Sequence, residues 1–148
     1  METVLRKKLR GGKFVNVSPE RSRMMGKIRS KGNRSTEQSF RFALVRAGLS
    51  GWVLHPKWVI GTPDFYFSKK KVAVFVDGCF WHGCRRCGHI PRTRSAFWNA
   101  KIQRNKTRGR MVARKLRDSG IRVVRIWEHE LKKCLDEAVQ RLRSMVTC

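Results

Sequence analysis

Residues 72–89 read VAVFVDGCFWHGCRRCGH, and the fold turns on them. Val72, Val74 and Val76 share one face of the first six residues, while Ala73 and Phe75 share the other. Both faces are apolar, which predicts a central strand covered on each side rather than a half-solvated one. The strand ends in Asp77, and within a few residues follow two aromatics, two histidines and three cysteines. Chemistry of that density marks either a loop held by metal or the rim of an active site.

Working outward, the stretch WVLHPKWVIGTPDFYF at 52–67 predicts strand, turn, strand, with the turn marked by Pro56 and by Gly61-Thr62-Pro63. Lys69 to Lys71 make a tight exposed connection into the central strand. Downstream, a long basic amphipathic helix occupies much of 95–119, with Gly109 its weak point and Gly120 closing it. IRVVRIW at 121–127 predicts another buried strand, and 130–145 a final helix. Upstream, Ser18-Pro19 is a helix start. Ser35 and Gln38 make a capping box ahead of the apolar stripe Phe40, Ala43, Leu44 and Ala47, which ends at Gly48. The order defines an α/β domain, a mixed central β-sheet flanked by helices. A chain of 148 residues holds one such core and not two comfortable ones. The domain is expected over 18–148, including the C-terminal helix, after a basic flexible arm at 1–17. The basic character continues to residue 34, around one short helix.

Lys and Arg number 35 against 10 Asp and Glu, a formal charge of +25. The bases recur through 69–71, 85–94, 101–117 and 122–133, so the excess is not a tail, and it favours a polyanionic partner, duplex DNA before RNA. No window approaches the apolar length of a membrane span, and METVLRKKLRGGKF has no apolar run behind it to make a signal peptide. The five cysteines are 79, 84, 87, 134 and 148. An odd count with three crowded together argues for metal in a reducing compartment, hence a cytoplasmic protein, nucleoid-associated in a bacterium. A monomer is expected.

With acids so scarce, three near one sheet edge carry information. Asp64 opens a strand directly after Thr62-Pro63, Asp77 ends the next, and Glu37 lies in the first turn of the helix before both, toward its buried face. In a basic protein such acids hold Mg²⁺ against a phosphate. PDF at 63–65 followed a hairpin later by VFVD at 74–77 resembles the PD-(D/E)xK nuclease core. Its lysine is absent, the chain reading Asp77-Gly78-Cys79, so His82 is the group available to manage water. Cys84-x2-Cys87 has zinc spacing, and Cys79 supplies a third thiolate. The fourth ligand comes from His82, His89, His129 or Cys134. His129 is preferred because, following a strand that ends at Trp127, it would tie the loop to the core. His82 then remains free to act as a general base. Phe80 and Trp81 beside it are placed to enter a base stack as a wedge.

GCFWHGC at 78–84, with PDF, AFWNAKIQRN at 96–105 and VVRIWEHEL at 123–131, resembles the very-short-patch-repair (Vsr) endonucleases over about 18–131. These are small PD-(D/E)xK-type enzymes of DNA mismatch repair that nick the thymine strand of a T·G mismatch. The resemblance implies a restriction-endonuclease-like core and Mg²⁺-dependent hydrolysis leaving 3′-hydroxyl and 5′-phosphate ends. By the same resemblance Asp64 and the Val76 carbonyl hold catalytic Mg²⁺, Glu37 assists water activation, and His82 activates the water. Phe80, Trp81 and Trp98 enter the stack, with Asn105 a further DNA contact. The structural Zn²⁺ falls to Cys79, Cys84, Cys87 and His129. In one respect the chain departs from the pattern. Where the family usually has an aspartate that orients the catalytic histidine, Asn105-Lys106-Thr107-Arg108 is followed by Gly109, and Asp77 is the nearest acid to take that part. Two other readings use the same residues: a nicking nuclease with another target, such as a mobile element's partner, and a DNA-binding descendant without turnover.

Overall fold

The computed structural model describes residues 9–10, 13–14, 18–27 and 34–147. Within the expected N-terminal arm, β1 (Leu9–Arg10) and β2 (Lys13–Phe14) pair antiparallel; the rest of residues 1–17 lies outside the described residues. Helix α1 (Pro19–Lys27) starts where the capping hydroxyl and proline place it, Ser18 Oγ accepting the Arg21 N–H at 3.3 Å.

The entry to the next helix differs from expectation. Ser35 and Gln38 do not bracket a helix start but lie inside a π turn, Arg34–Gln38, that runs straight into α2 (Ser39–Arg46). Gln38, at the junction, makes no capping bond. Tertiary packing wins over local capping, since the turn buries Thr36 and Glu37.

Strands β3 (Trp52–Leu54), β4 (Phe65–Phe67), β5 (Val72–Asp77) and β6 (Arg122–Trp127) form one mixed sheet in that spatial order. β3, β4 and β5 are antiparallel neighbours, and β5 and β6 are parallel. Parallel neighbours need a long crossover, here the cysteine loop and the 24-residue helix α3 (Ser95–Asp118). The two faces of β5 are both covered, as its sequence requires. Val72 and Val74 pack with Phe40, Ala43 and Leu44 of α2; Ala73 and Phe75 pack with Leu116 of α3.

Two expectations are corrected. IRVVRIW is not buried on both sides. β6 is the edge strand, and only Val124 and Ile126 are buried, so the apolar look of Ile121 and Val123 reflects partial cover by α3. The final helix is two: α4 (Glu128–Lys133) and α5 (Leu135–Val146), broken at Cys134, whose φ of −138° and ψ of 52° are not helical. The break lets α4 carry His129 at the sheet end while α5 turns Ala138, Val139, Leu142 and Val146 into the α2 side of the core. Gly109, by contrast, leaves α3 uninterrupted. Among the described residues no helix is long and apolar enough to cross a membrane.

Leu142 is fully buried in this core. Truncating it to alanine should cost about 2–5 kcal/mol, read as a lowered urea midpoint. Nicking by the folded fraction should persist, because the side chain touches none of the site described below; wild-type stability would show that α5 is not part of the core.

Candidate active site and metal centre

Three ionisable groups meet where β3 and β4 begin to separate. The antiparallel register pairs Leu54 with Phe65, so the next residues, His55 and Asp64, stand opposite each other, and the His55 N–H donates to the Asp64 carbonyl at 3.3 Å. Glu37 comes over them from the π turn. His55 Nε2 lies 2.6 Å from Glu37 Oε1 and 3.6 Å from Asp64 Oδ1. Glu37 and Asp64 are 6% and 8% exposed, an expensive burial for carboxylates that a cation would compensate. Their oxygens and the imidazole nitrogen all lie within 4.8 Å of one another, close enough for one cation. Asp64 Oδ2 accepts the Val76 N–H at 2.7 Å, which draws the end of β5 against the cluster. In a strand a residue's N–H and C=O point to the same edge, so the Val76 carbonyl faces this side too.

A second acid–histidine contact lies at the end of β5. Asp77, only 3% exposed, is gripped by Arg125 of β6 through two bonds, Nε to Oδ2 at 2.5 Å and Nη2 to Oδ1 at 2.7 Å. His82 Nε2 stands 3.6 Å from Asp77 Oδ1, an electrostatic contact longer than a hydrogen bond. Burial pushes the His82 pKa below its ordinary value, with Asp77 pulling it up and Arg125 and Arg108 pushing it further down. Gly109 bears directly on this arrangement. A β-carbon there would stand 3.2 Å from Arg125 Nη1, so the missing side chain leaves the guanidinium its space. Arg125 was not singled out from sequence; nothing local distinguishes it among the chain's basic residues.

The zinc ligands come together as the spacing predicts. Cys79, Cys84 and Cys87 Sγ lie 3.3, 3.6 and 3.6 Å from His129 Nδ1. A tetrahedral ion with Zn–S of about 2.3 Å and Zn–N of about 2.0 Å sets its ligand atoms about 3.5 Å apart, so this donor set fits Zn²⁺. Burial, with Cys87 adding, pushes the Cys79 thiol up to about 12, and a coordinated dication is what deprotonates such crowded sulfurs. His129 is held by stacking against Trp127, by Glu130 capping the Trp127 N–H at 2.7 Å, and by Glu128 accepting from Cys79 N at 3.4 Å. His89 and Cys134 lie outside the ligand set, and His82 stays free of it.

Between the two centres the loop displays aromatic rings. Phe80 lies 5.0 Å from Trp81 and 5.4 Å from Trp98 of α3, all three half-buried, with Lys101 Nζ 5.1 Å above Trp81. Gly83 turns the loop with φ 59°, and a β-carbon there would strike Ile102 and Lys106 at 2.7 and 2.6 Å. Asn105 Nδ2 donates to the Trp81 carbonyl at 3.0 Å, so in this structure it tethers the ring-bearing loop to α3.

Sequence reasoning passed over His55. Its only signal was register: read with the correct turn, the hairpin puts it opposite Asp64.

A mixed sheet flanked by helices, with a buried acid–histidine cluster at the strand ends of a strongly basic chain, is the architecture of a restriction-endonuclease-like nuclease. The particular group follows from sequence comparison. Residues 15–89 match the family described as DNA mismatch endonuclease Vsr, and the chain belongs to that family. It is 38% identical over 133 residues to the Type II nicking enzyme V.XorIIP of Xanthomonas oryzae pv. oryzae, covering 88% of this chain and 95% of the relative. To the Type II nicking enzyme V.NaeI of Lentzea aerocolonigenes it is 50% identical over 68 residues, but these span only 46% of this chain and 41% of that one. To the DNA mismatch endonuclease Vsr of Escherichia coli K12 it is 37% identical over 92 residues, 58% of each chain.

The metal centre makes a direct prediction. One equivalent of zinc should copurify from chelator-free, reducing preparations. Cys84→Ala should lower zinc content, solubility and thermal midpoint together, because such a site contributes to folding. Elemental analysis without zinc in a folded preparation would refute it.

Proposed function

We propose that this protein nicks duplex DNA on the thymine strand of a T·G mismatch by Mg²⁺-dependent hydrolysis, leaving 3′-hydroxyl and 5′-phosphate ends. The observation that carries this is the buried Glu37–Asp64 cluster at the strand ends of a chain with charge +25. Mg²⁺ held by Asp64 and the Val76 carbonyl would neutralise charge at the scissile phosphate and at the leaving 3′ oxygen. Glu37 orients the attacking water from the opposite side of the cluster. His82 takes the water's proton: its Nε2 faces Asp77, which leaves Nδ1 to accept. Asp77, fixed by Arg125, holds the ring's orientation, the task that Gly109 lacks the side chain to perform. Phe80, Trp81 and Trp98 enter the stack at the mispaired step, where unstacking costs least. Asn105 serves DNA binding by keeping the Trp81 loop in place. The chain acts as a monomer, with residues 18–148 as one folding unit.

Nicking of an end-labelled T·G duplex at the thymine strand, beside G·C, T·A and single-stranded controls, tests the whole reading. A nick of equal rate on matched DNA would point instead to another target, and binding without any Mg²⁺-dependent nick to a non-catalytic descendant.

Two substitutions divide the roles. Asp64→Ala should abolish single-turnover cleavage while DNA affinity stays unchanged or rises slightly, since it removes an anion beside phosphate. Cleavage near the wild-type rate would reject its metal role. Trp81→Ala should narrow the affinity gap between T·G and matched duplexes, because base–aromatic stacking is worth about 1–3 kcal/mol. Equal weakening on both duplexes would show that the ring binds DNA without reading the mismatch.

A further inference from the structure

The acid cluster contains a nitrogen that the proposed mechanism does not use. His55 adopts φ 46°, the left-handed region that β-carbon-bearing residues avoid. It does so directly before Pro56, itself a fully buried residue that anchors the turn. Such an outlier persists only where the surroundings hold it, and it calls for a reason. The backbone position aims the ring inward. Although the side chain as a whole is 29% exposed, the Nε2 atom is buried and has no hydrogen-bond partner, despite a Glu37 oxygen at 2.6 Å.

That pair of facts is informative. A protonated imidazole paired with Glu37 would direct its N–H at the oxygen, and here the direction is wrong for a hydrogen bond. Two electron-rich atoms at that separation are stable only with positive charge between or beside them. A cation in front of Nε2, touched by Glu37 and Asp64, meets the requirement for all three groups. Around an octahedral ion with bonds of about 2.1 Å, ligand atoms stand about 3–4.2 Å apart. The Asp64 contact at 3.6 Å already falls in that range, and the Glu37 contact would open by a few tenths of an ångström.

We propose that His55 Nε2 is a direct ligand of the cation bound at Glu37 and Asp64, giving an acid–imidazole–acid seat that prefers Mn²⁺ or Co²⁺ to Mg²⁺. The inference rests on the reading of that cluster as the catalytic cation site, and it adds the cation class. Mg²⁺ selects oxygen and keeps its waters, whereas imidazole nitrogen favours transition ions, with affinity rising from Mn²⁺ to Co²⁺. A seat with one nitrogen therefore still accepts Mg²⁺ at cellular abundance, but binds Mn²⁺ more tightly. No residue of the zinc centre takes part.

The test uses the full chain with its zinc loaded, and Mn²⁺ alone as the probe. Electron paramagnetic resonance of free Mn²⁺ gives the dissociation constant, and spin-echo modulation reports whether a ¹⁴N nucleus is bonded to the ion. In the wild type, ¹⁴N coupling should be present, and Mn²⁺ should bind at least tenfold more tightly than Mg²⁺ in competition. His55→Ala should lose the coupling and weaken Mn²⁺ at least tenfold, since loss even of a ligand's outer partner costs about 10–100-fold. His55→Gln, which offers oxygen in place of nitrogen, should lose the coupling and erase the Mn²⁺ preference while keeping Mg²⁺-supported nicking. Wild-type protein that binds Mn²⁺ without ¹⁴N coupling overturns the ligand assignment regardless of how any variant folds, as does coupling that survives in His55→Gln. Asp64→Ala that still nicks at the wild-type rate overturns instead the catalytic reading of the cluster, leaving the nitrogen ligand to stand on its spectrum.

Discussion

The parallel pairing of β5 with β6 is the constraint on which both centres depend. Its register sets Val76 beside Ile126 and ends with Asp77 level with Trp127. From that common end one chain enters the cysteine loop and the other enters α4. Cys79 and His129 are thereby brought within 3.3 Å, although 50 residues separate them. The same register brings Arg125, paired with Phe75, alongside Asp77 one step further along the strand. A shift of one residue would turn Arg125 away from Asp77 and move β5's apolar set to the wrong faces. The covered faces of β5 hold that register, so core packing and site geometry are one problem.

Buried acids in a basic chain need specific partners, and the structure supplies a different one for each. Asp77 has Arg125 in a two-bond grip; removing one partner of a buried pair costs about 3–5 kcal/mol because the other charge is stranded. Asp64 has the Val76 N–H, and shares with Glu37 the imidazole of His55. The two acids lie on neighbouring strands yet are compensated differently. Asp77 is neutralised within the protein, which leaves it as support for His82. Asp64 and Glu37 retain net negative charge inside a cationic surface, which is the condition for attracting a dication and then a phosphate.

The cysteine loop connects stability to function. It carries three zinc ligands, His82 and two of the three aromatic rings in 79–87, and it is fastened at several points. His129 closes it onto α4, Gly83 lets it approach α3, and Asn105 holds the Trp81 carbonyl. A loop displaying large rings toward solvent would otherwise collapse onto them. Fixing it in advance spares the entropy of ordering it when DNA arrives.

What the sequence determined by itself was whatever is written in local patterns. The two-faced apolar run at 72–77, the turn residues between Leu54 and Phe65, the Cys84-x2-Cys87 spacing and the acid after Pro63 each follow from neighbouring residues, and each has its expected place in the fold. The choice of His129 was also legible, because a strand that ends beside the loop delivers it. Tertiary structure alone decided the rest. Helix capping at Ser35 gave way to a π turn that buries Glu37, because a buried acid over the cluster outweighs a local cap. The apolar spelling of β6 did not reveal that it is an edge strand, since a sheet's order is not local information. His55 and Arg125 owe their positions to strand register and to the absence of a side chain at Gly109. Cross-strand neighbours are chosen by which faces can be buried together, and that selection exists only once the whole sheet is assembled.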